Sequence, residues 1–206
     1  MKINTQDDVV KQNYVKYPLV FAAVKKLAKA SAPIIIAIEG RCGSGKSSLS
    51  VLLSEEFDCN VFHMDDFFLP FDMKTKDRLE QPGGNVHYER FEDEVLKSLQ
   101  NREAVTYRKY SCLKGALSKP IHVEPKKITI VEGVYCLHPT LAKYYDYRIF
   151  LDLSSQAQYE RIQKRNGEEM LQNFLDKWIP MEEYYFSTLN IKDQCDIVVD
   201  TTVLWK

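Results

Sequence analysis

Short apolar runs alternate with helical spacings along this chain. Ile34, Ile35, Ile36, Ala37 and Ile38 form one run that predicts a buried strand. Ser48, Leu49, Leu52, Leu53 and Phe57 follow at helical intervals over 46–56. Val61, Phe62 and Met64 predict a second strand that ends at Asp65 and Asp66. Ile128–Val131, Tyr147–Leu151 and Asp196–Val199 predict three more. Between them, Phe91, Val95, Leu96 and Leu99 mark a helix, and further helices are expected over 155–165 and 168–188, the latter broken or kinked at Pro180. Ahead of the first strand, Val20, Ala23, Val24 and Leu27 repeat at i, i+3, i+4 and i+7 behind Pro18. Strands that alternate with helices imply a mainly parallel sheet covered on both faces, so the fold class is α/β.

Two stretches break the pattern. Residues 70–87 hold Pro70, Pro82, Gly83 and Gly84 among mixed charges and read as an exposed, mobile loop. Residues 105–124 read as an irregular or hairpin insertion punctuated by Gly115 and Pro120. The length of 206 residues suits one domain, with a leading helical segment over 1–30, an insertion over 70–124, and a lid with its following helix over 155–188.

The turn after the first strand carries the chemistry. Gly40, Arg41, Cys42, Gly43, Ser44, Gly45, Lys46 and Ser47 match G-x-x-x-x-G-K-S/T at every fixed position, and Ser48 opens the helix behind them. Glycines let the backbone curl so that successive N–H groups surround phosphate oxygens. The helix that begins near Lys46 aims its positive end at the same anion. Lys46 is expected to reach the outer phosphates and Ser47 to ligate Mg²⁺.

In a parallel sheet the ligand site lies beyond the carboxyl ends of the strands. That rule gathers the loop, Asp65, Asp66 and Glu132 at one crevice. Asp65 is the expected proton acceptor for an attacking hydroxyl and stands near the metal; neighbours on an extended chain face opposite ways, so Asp66 points elsewhere. Glu132, at the end of its apolar run, is the expected magnesium-side acid. The plain alternative for these carboxylates is turn or N-cap duty. Arg161, Lys164 and Arg165 share one helical face before Asn166 and Gly167, an arrangement that suits a lid over phosphate or, equally, a solvated surface.

Charge and composition narrow the partners. Lys and Arg number 28 against 29 Asp and Glu, for a net charge of −1, with no block of one sign. This argues against bulk nucleic-acid or membrane binding. Met1–Asp8 lacks the apolar core of a signal peptide, and the five scattered cysteines suit free thiols, so a cytoplasmic setting is expected. Alkylation of Cys42, inside the loop, is expected to block nucleotide binding. His63, His122 and His138 have no metal or triad spacing and carry no expected chemistry, and Phe67 and Phe68 read as anchors for their loop.

Taken together, Gly40–Ser48, His63-Met64-Asp65-Asp66-Phe67-Phe68, Ile130-Val131-Glu132-Gly133, Arg161-x-x-x-Arg165 and the ending Pro180-x-Glu182-Glu183 with Cys195–Val199 resemble the uridine kinase group of P-loop kinases, which includes nicotinamide riboside kinase, phosphoribulokinase and bacterial pantothenate kinase. The resemblance covers roughly residues 33 to 200. It implies a three-layer P-loop fold with a five-stranded sheet and ATP-dependent, Mg²⁺-dependent phosphorylation of a hydroxyl on a small molecule. It implies Asp65 as the catalytic aspartate, Glu132 as the magnesium-side acid, and Arg161 and Arg165 as lid arginines.

The departures concern the acceptor. Uridine kinases carry Asn-x-Asp-x-Pro where this chain has Asn85–Phe91, and a Tyr-Asp-Phe run with a following His where it has Tyr107–Cys112. Asp66, His87, Tyr88, Arg90, Tyr107, Arg108 and Tyr110 thereby become candidates for the acceptor pocket, with Arg108 suited to an acceptor phosphate or carboxylate. A nucleotide or sugar-phosphate kinase of the same superfamily is the alternative, and a nucleotide-binding regulator a third. The regulator lacks a guanine-specifying N-K-x-D, and a transporter motor's L-S-G-G-Q is missing. The sequence leaves ATP against GTP, and homo-oligomerisation, open.

Overall fold

In a computed structural model, residues 16–204 are described. The part of the expected leading segment before residue 16 lies outside them. Among the described residues, five strands form a parallel sheet in the order β2 (Cys59–His63), β7 (Ile128–Glu132), β1 (Ile34–Gly40), β8 (Tyr147–Asp152) and β9 (Ile197–Asp200). The expected α/β class and the five-stranded parallel sheet are both present.

All seven residues of β1 are buried, as its unbroken apolar run requires at the centre of a doubly covered sheet. Alternate residues serve opposite faces. Ile34, Ile36 and Ile38 pack with Val20, Phe21 and Val24 of α1 (Pro18–Leu27) and with Leu49 and Leu53 of α2 (Lys46–Glu56). Ile35 and Ala37 join Phe62, Val131 and Phe150 under Phe91, Val95 and Tyr185. Each fully buried Ile or Phe contributes about 1.5–3 kcal/mol. The second layer comes from α3, a helical run over 88–100, and α5, a run over 168–188.

Between β2 and β7 lies the insertion. There β3 (Val105–Tyr107) pairs antiparallel with β6 (Ile121–Val123), and β4 (Tyr110–Ser111) with β5 (Ala116–Leu117). Residues 70–87 are more structured than their glycines and prolines suggest. A turn over Phe71–Met73 and a short helix over Lys76–Leu79, capped by the Thr75 hydroxyl, fill the stretch. Arg78 staples it by donating to the carbonyls of Gly84 and Val86, both at 3.1 Å, and to Glu89. Gly84 passes so close to Arg78 that a Cβ would stand 1.8 Å from its carbonyl oxygen.

Pro180 does not break α5. It sits in the first turn of Ile179–Thr188, and a π-type turn over Phe174–Trp178 precedes it, so the helical course continues. The preceding helix, α4 (Ser155–Asn166), stops at Gly167, whose φ of 81° suits glycine.

Candidate active site

The register of the sheet builds the crevice. Glu132, the last residue of β7, pairs with Ile38 of β1 on one side and His63 of β2 on the other. The strand ends therefore deliver the loop after β1, the Asp65 turn after β2 and the Glu132 turn after β7 to one edge. Gly40 is required where it stands: a Cβ there would lie 2.1 Å from the Leu151 carbonyl oxygen. Gly45, at φ 95°, turns the chain into α2, whose first turn leaves its amides without helical partners.

Lys46 is buried, and its Nζ donates to the carbonyls of Gly40 (2.7 Å) and Arg41 (3.0 Å), which holds the ammonium beneath the loop. The Ser44 hydroxyl is buried in the same loop and, among the described residues, has no hydrogen-bond partner. Ser47 Oγ donates to Glu132 Oε1 at 3.0 Å, and His63 Nδ1 lies 2.5 Å from the same oxygen. That bond to Glu132 raises the pKa of His63 above its ordinary value. His63 thus belongs to the site, although its spacing in the sequence assigned it none.

Asp65 occupies the turn Met64–Phe67 after β2 and lines the cleft with Lys46, Ser47 and Glu132. Its tip is open to water, yet protein surrounds it on most sides. That enclosure raises its pKa above 3.8; the Lys46 charge opposes the rise and Glu132 adds to it. Among the described residues its carboxylate has no hydrogen-bond partner. Asp66 turns away and pairs with Lys109 at 2.9 Å. Phe67 anchors the turn against Phe91 and Tyr107, whereas Phe68 lines the cleft.

Three carboxylates behind the loop are committed to it. Glu39, wholly buried, accepts from the amides of Gly40 (3.0 Å) and Leu137 (3.1 Å) and from the Tyr185 hydroxyl (3.1 Å). Burial pushes its pKa up to about 7, against the pull of the Gly40 amide and the Lys46 charge. Glu182 Oε2 accepts from the Cys42 amide at 2.9 Å, and burial raises its pKa as well. Glu183 pairs with Arg41, which also donates from Nε to Asp152 at 2.8 Å. Helix α5 is thus fastened to the loop through Glu182 and Glu183 and to β1 through Tyr185. The Cys42 thiol accepts from Gln158 Nε2 at 3.1 Å, and burial pushes its pKa up to about 12. A buried neutral thiol is a slow nucleophile, so alkylation is a poor route to blocking this loop.

The two arginines of α4 differ. Arg161 lines the cleft but is bound to the loop and the chain end: Nη1 donates to the Gly43 carbonyl (3.1 Å) and Nη2 to that of Thr201 (2.5 Å). Arg165 lines the cleft with its guanidinium 5.9 Å from the Phe174 ring, bonded to Asn166. Lys177, Phe174 and Trp178 of the π-type turn complete that wall.

The cleft measures about 780 Å³ and runs from the loop to the insertion. Its far wall holds Phe68, Phe71, Lys74, Leu79, Asn85 and Cys112. The residues expected there from the sequence stand elsewhere, most of them with other partners. Tyr107 stacks on Phe67 in the core. Tyr88 stacks on His138 at 3.8 Å and accepts from Arg78. Arg90 lies 4.3 Å over the Phe67 ring, donating to Glu94 and to the Arg108 carbonyl. Tyr110 meets Phe71 edge-on, and among the described residues the buried His87 Nδ1 atom has no hydrogen-bond partner. None of these, nor Asp66 or Arg108, lines the cleft. Tyr135, which does line it, holds φ at 76°, an uncommon value for a tyrosine. Gly133 beside it approaches Met64 so closely that a Cβ would stand 2.8 Å from the Met64 Cβ.

Among the described residues no helix is long and apolar enough to cross a membrane, and no three His, Cys, Asp or Glu side chains gather as a metal cage. One hydroxyl and one carboxylate, Ser47 and Glu132, still make an oxygen pair of the kind Mg²⁺ takes when water and phosphate complete its shell. The orphaned Ser44 hydroxyl and the buried Lys46 ammonium fit a phosphate in the loop.

Known proteins resemble this chain in sequence and in fold. The uridine kinase of Oceanobacillus iheyensis is 26% identical over 164 residues, 71% of this chain and 75% of that protein. That of Clostridium perfringens strain 13 is 26% identical over 184 residues, 81% and 86% of the two chains. The solved structure of a possible uridine kinase from Bacillus stearothermophilus superposes with a TM-score of 0.67 at 19% identity, covering 94% of this chain and 98% of that one. D-glycerate 3-kinase from Cryptococcus neoformans shares the fold with a TM-score of 0.53 at 14% identity, over 97% of each chain. The AAA domain family model matches residues 36–182, the span from β1 to α5. With its phosphate loop, Asp65 turn and Glu132 all inside that span, the chain belongs to the AAA domain family, in its uridine kinase-like P-loop group.

Proposed function

We propose that this chain is a kinase that moves the γ-phosphoryl group of ATP to a hydroxyl of a small molecule, with the whole chain acting as one catalytic domain. The observation that carries this reading is the position of Asp65. Its carboxylate lines the same cleft as Lys46, Ser47 and Glu132 and, among the described residues, has no hydrogen-bond partner. A phosphate loop alone would serve a switch equally well. A free carboxylate facing it serves a reaction that must accept a proton from an incoming hydroxyl.

The roles follow from position. Lys46, Ser44 and the amides at the start of α2 hold phosphate oxygens. Ser47 and Glu132 hold Mg²⁺, which when bound neutralises charge on the transferred group. Asp65 orients the acceptor hydroxyl and takes its proton, and its raised pKa brings its basicity closer to that task. Arg165, with Arg161 behind it, supplies positive charge from the α4 side and helps exclude water. The similarity to uridine kinases supports a nucleoside or a related hydroxyl compound as acceptor.

The test is an ADP-release screen with Mg²⁺ and ATP against nucleosides, sugars, sugar phosphates and hydroxy acids. Stimulation by one acceptor class supports the reading. ADP release that no acceptor stimulates would leave a nucleotide-binding regulator in its place.

A further inference from the structure

We infer that the hydroxyl acceptor of this site carries an anionic group, a carboxylate or a phosphate, which Lys74 and Asn85 bind; this rests on the kinase reading above. The inference starts from which side chains on the far wall are free. Lys74 lines the cleft with its ammonium 5.0 Å from the centre of the Phe71 ring and, among the described residues, no carboxylate beside it. Asn85 lines the same wall. Its main-chain carbonyl accepts from Leu69 at 3.1 Å, and its side-chain amide has no hydrogen-bond partner among the described residues.

Three acids that flank this region are paired elsewhere. Asp66 pairs with Lys109 (2.9 Å), Glu89 with Arg78 (2.6 Å) and Glu94 with Arg90 (3.1 Å), and none of the three lines the cleft. Asp65 is left for the reacting hydroxyl. A neutral polyol such as a ribose offers O–H donors, and the side chain that grips them best is a carboxylate, which only accepts. This wall offers an ammonium with three donors and an amide with two donors beside one acceptor oxygen. Donors with one positive charge and no acid beside them match an anion, and a charge-assisted bond is about twice as strong as a neutral one. Phe68, Phe71 and Leu79 line the same cleft and offer apolar surface to the rest of the acceptor.

The test compares matched acceptors that differ only in charge: a sugar and its phosphate ester, a nucleoside and its 5′-monophosphate, a hydroxy acid and its amide. The anionic member of at least one pair is expected to show a kcat/KM about tenfold or more above its neutral partner, and the pair in which this occurs tells phosphate from carboxylate. Lys74→Gln should raise KM for that acceptor by about tenfold without moving KM for ATP, and Lys74→Arg should recover most of the loss. Asn85→Asp, which puts a negative charge in the same place, should weaken the anionic acceptor at least as much. Neutral acceptors used as well as anionic ones, or a KM that Lys74→Gln leaves in place, would overturn the inference while the kinase reading stands. ADP release unaffected by every acceptor would overturn both.

Discussion

Ser47 and Glu132 stand 85 residues apart in the chain, and the Ser47 hydroxyl donates to Glu132 Oε1 across 3.0 Å. The parallel pairing of β1 with β7 makes this contact, because the end of β7 lies beside the strand that feeds the phosphate loop. In the proposed reaction these two hard oxygen ligands hold the divalent ion. Ser47→Ala and Glu132→Gln should each raise the Mg²⁺ concentration needed for half-maximal turnover by about tenfold or more, since each removes one of few protein oxygens. A magnesium titration of initial rates checks this.

Asp65 should behave as a base. Asp65→Asn is expected to lower kcat by about 10²-fold or more while ATP binding, measured by calorimetry, stays close to wild type. The pH profile gives an independent reading. Enclosure holds the Asp65 pKa above the ordinary carboxylate value, and the group works ionised. The rate should therefore fall, as pH drops, at a higher pH than a free aspartate would give, and a profile of kcat/KM without that limb would remove Asp65 from the role.

Glu39 ties stability to pH. Its pKa is about 7 in the fold against 4.5 for an unperturbed glutamate. Between those values the folded chain holds a proton that the unfolded chain has released. Its contribution is complete below pH 4.5 and is lost as pH rises through 7, by about 3 kcal/mol from a shift of this size at 1.36 kcal/mol per unit. In Glu39→Gln that part of the slope should vanish, so the difference in Tm between variant and wild type should move in the variant's favour from pH 5 to pH 8. Thermal melts at both pH values decide it.

Arg165 and Arg161 should separate. Arg165 is exposed, bonded only to its neighbour Asn166 among the described residues, so Arg165→Ala should leave Tm nearly unchanged and lower turnover or raise acceptor-independent ATP hydrolysis. Arg161→Ala should also lower Tm, because it unties the Gly43 carbonyl from Thr201. Melts and coupled ADP assays on the two variants show whether the roles divide this way.

The phosphate loop was legible because its chemistry is local: glycines, a lysine and a hydroxyl must fall within eight consecutive residues between a strand and a helix. The apolar run of β1 and the acids at the ends of β2 and β7 were legible for the same reason, since sheet topology carries strand ends to one edge. His63 was not, because its partner is set by the register of β2 on β7 rather than by spacing. Glu39 left a signal that went unread: a carboxylate inside an all-buried strand must find partners, and it finds three. The far wall was least legible. Strands of two and three residues are too short to show alternation, so Tyr107 gave no sign of facing the core, and Lys74 and Asn85 lie in loop and turn, where no periodicity sets a face.

Phosphoryl transfer assisted by Asp65 is the central step of the proposed reaction. Incubation of the protein with Mg²⁺ and ATP labelled at the γ-phosphate, in the presence of the preferred acceptor, measures it directly. Label is predicted to appear in the acceptor with the wild-type chain and to fall by about 10²-fold with Asp65→Asn. Label released only as inorganic phosphate, at one rate with or without acceptor and in both proteins, would contradict the account.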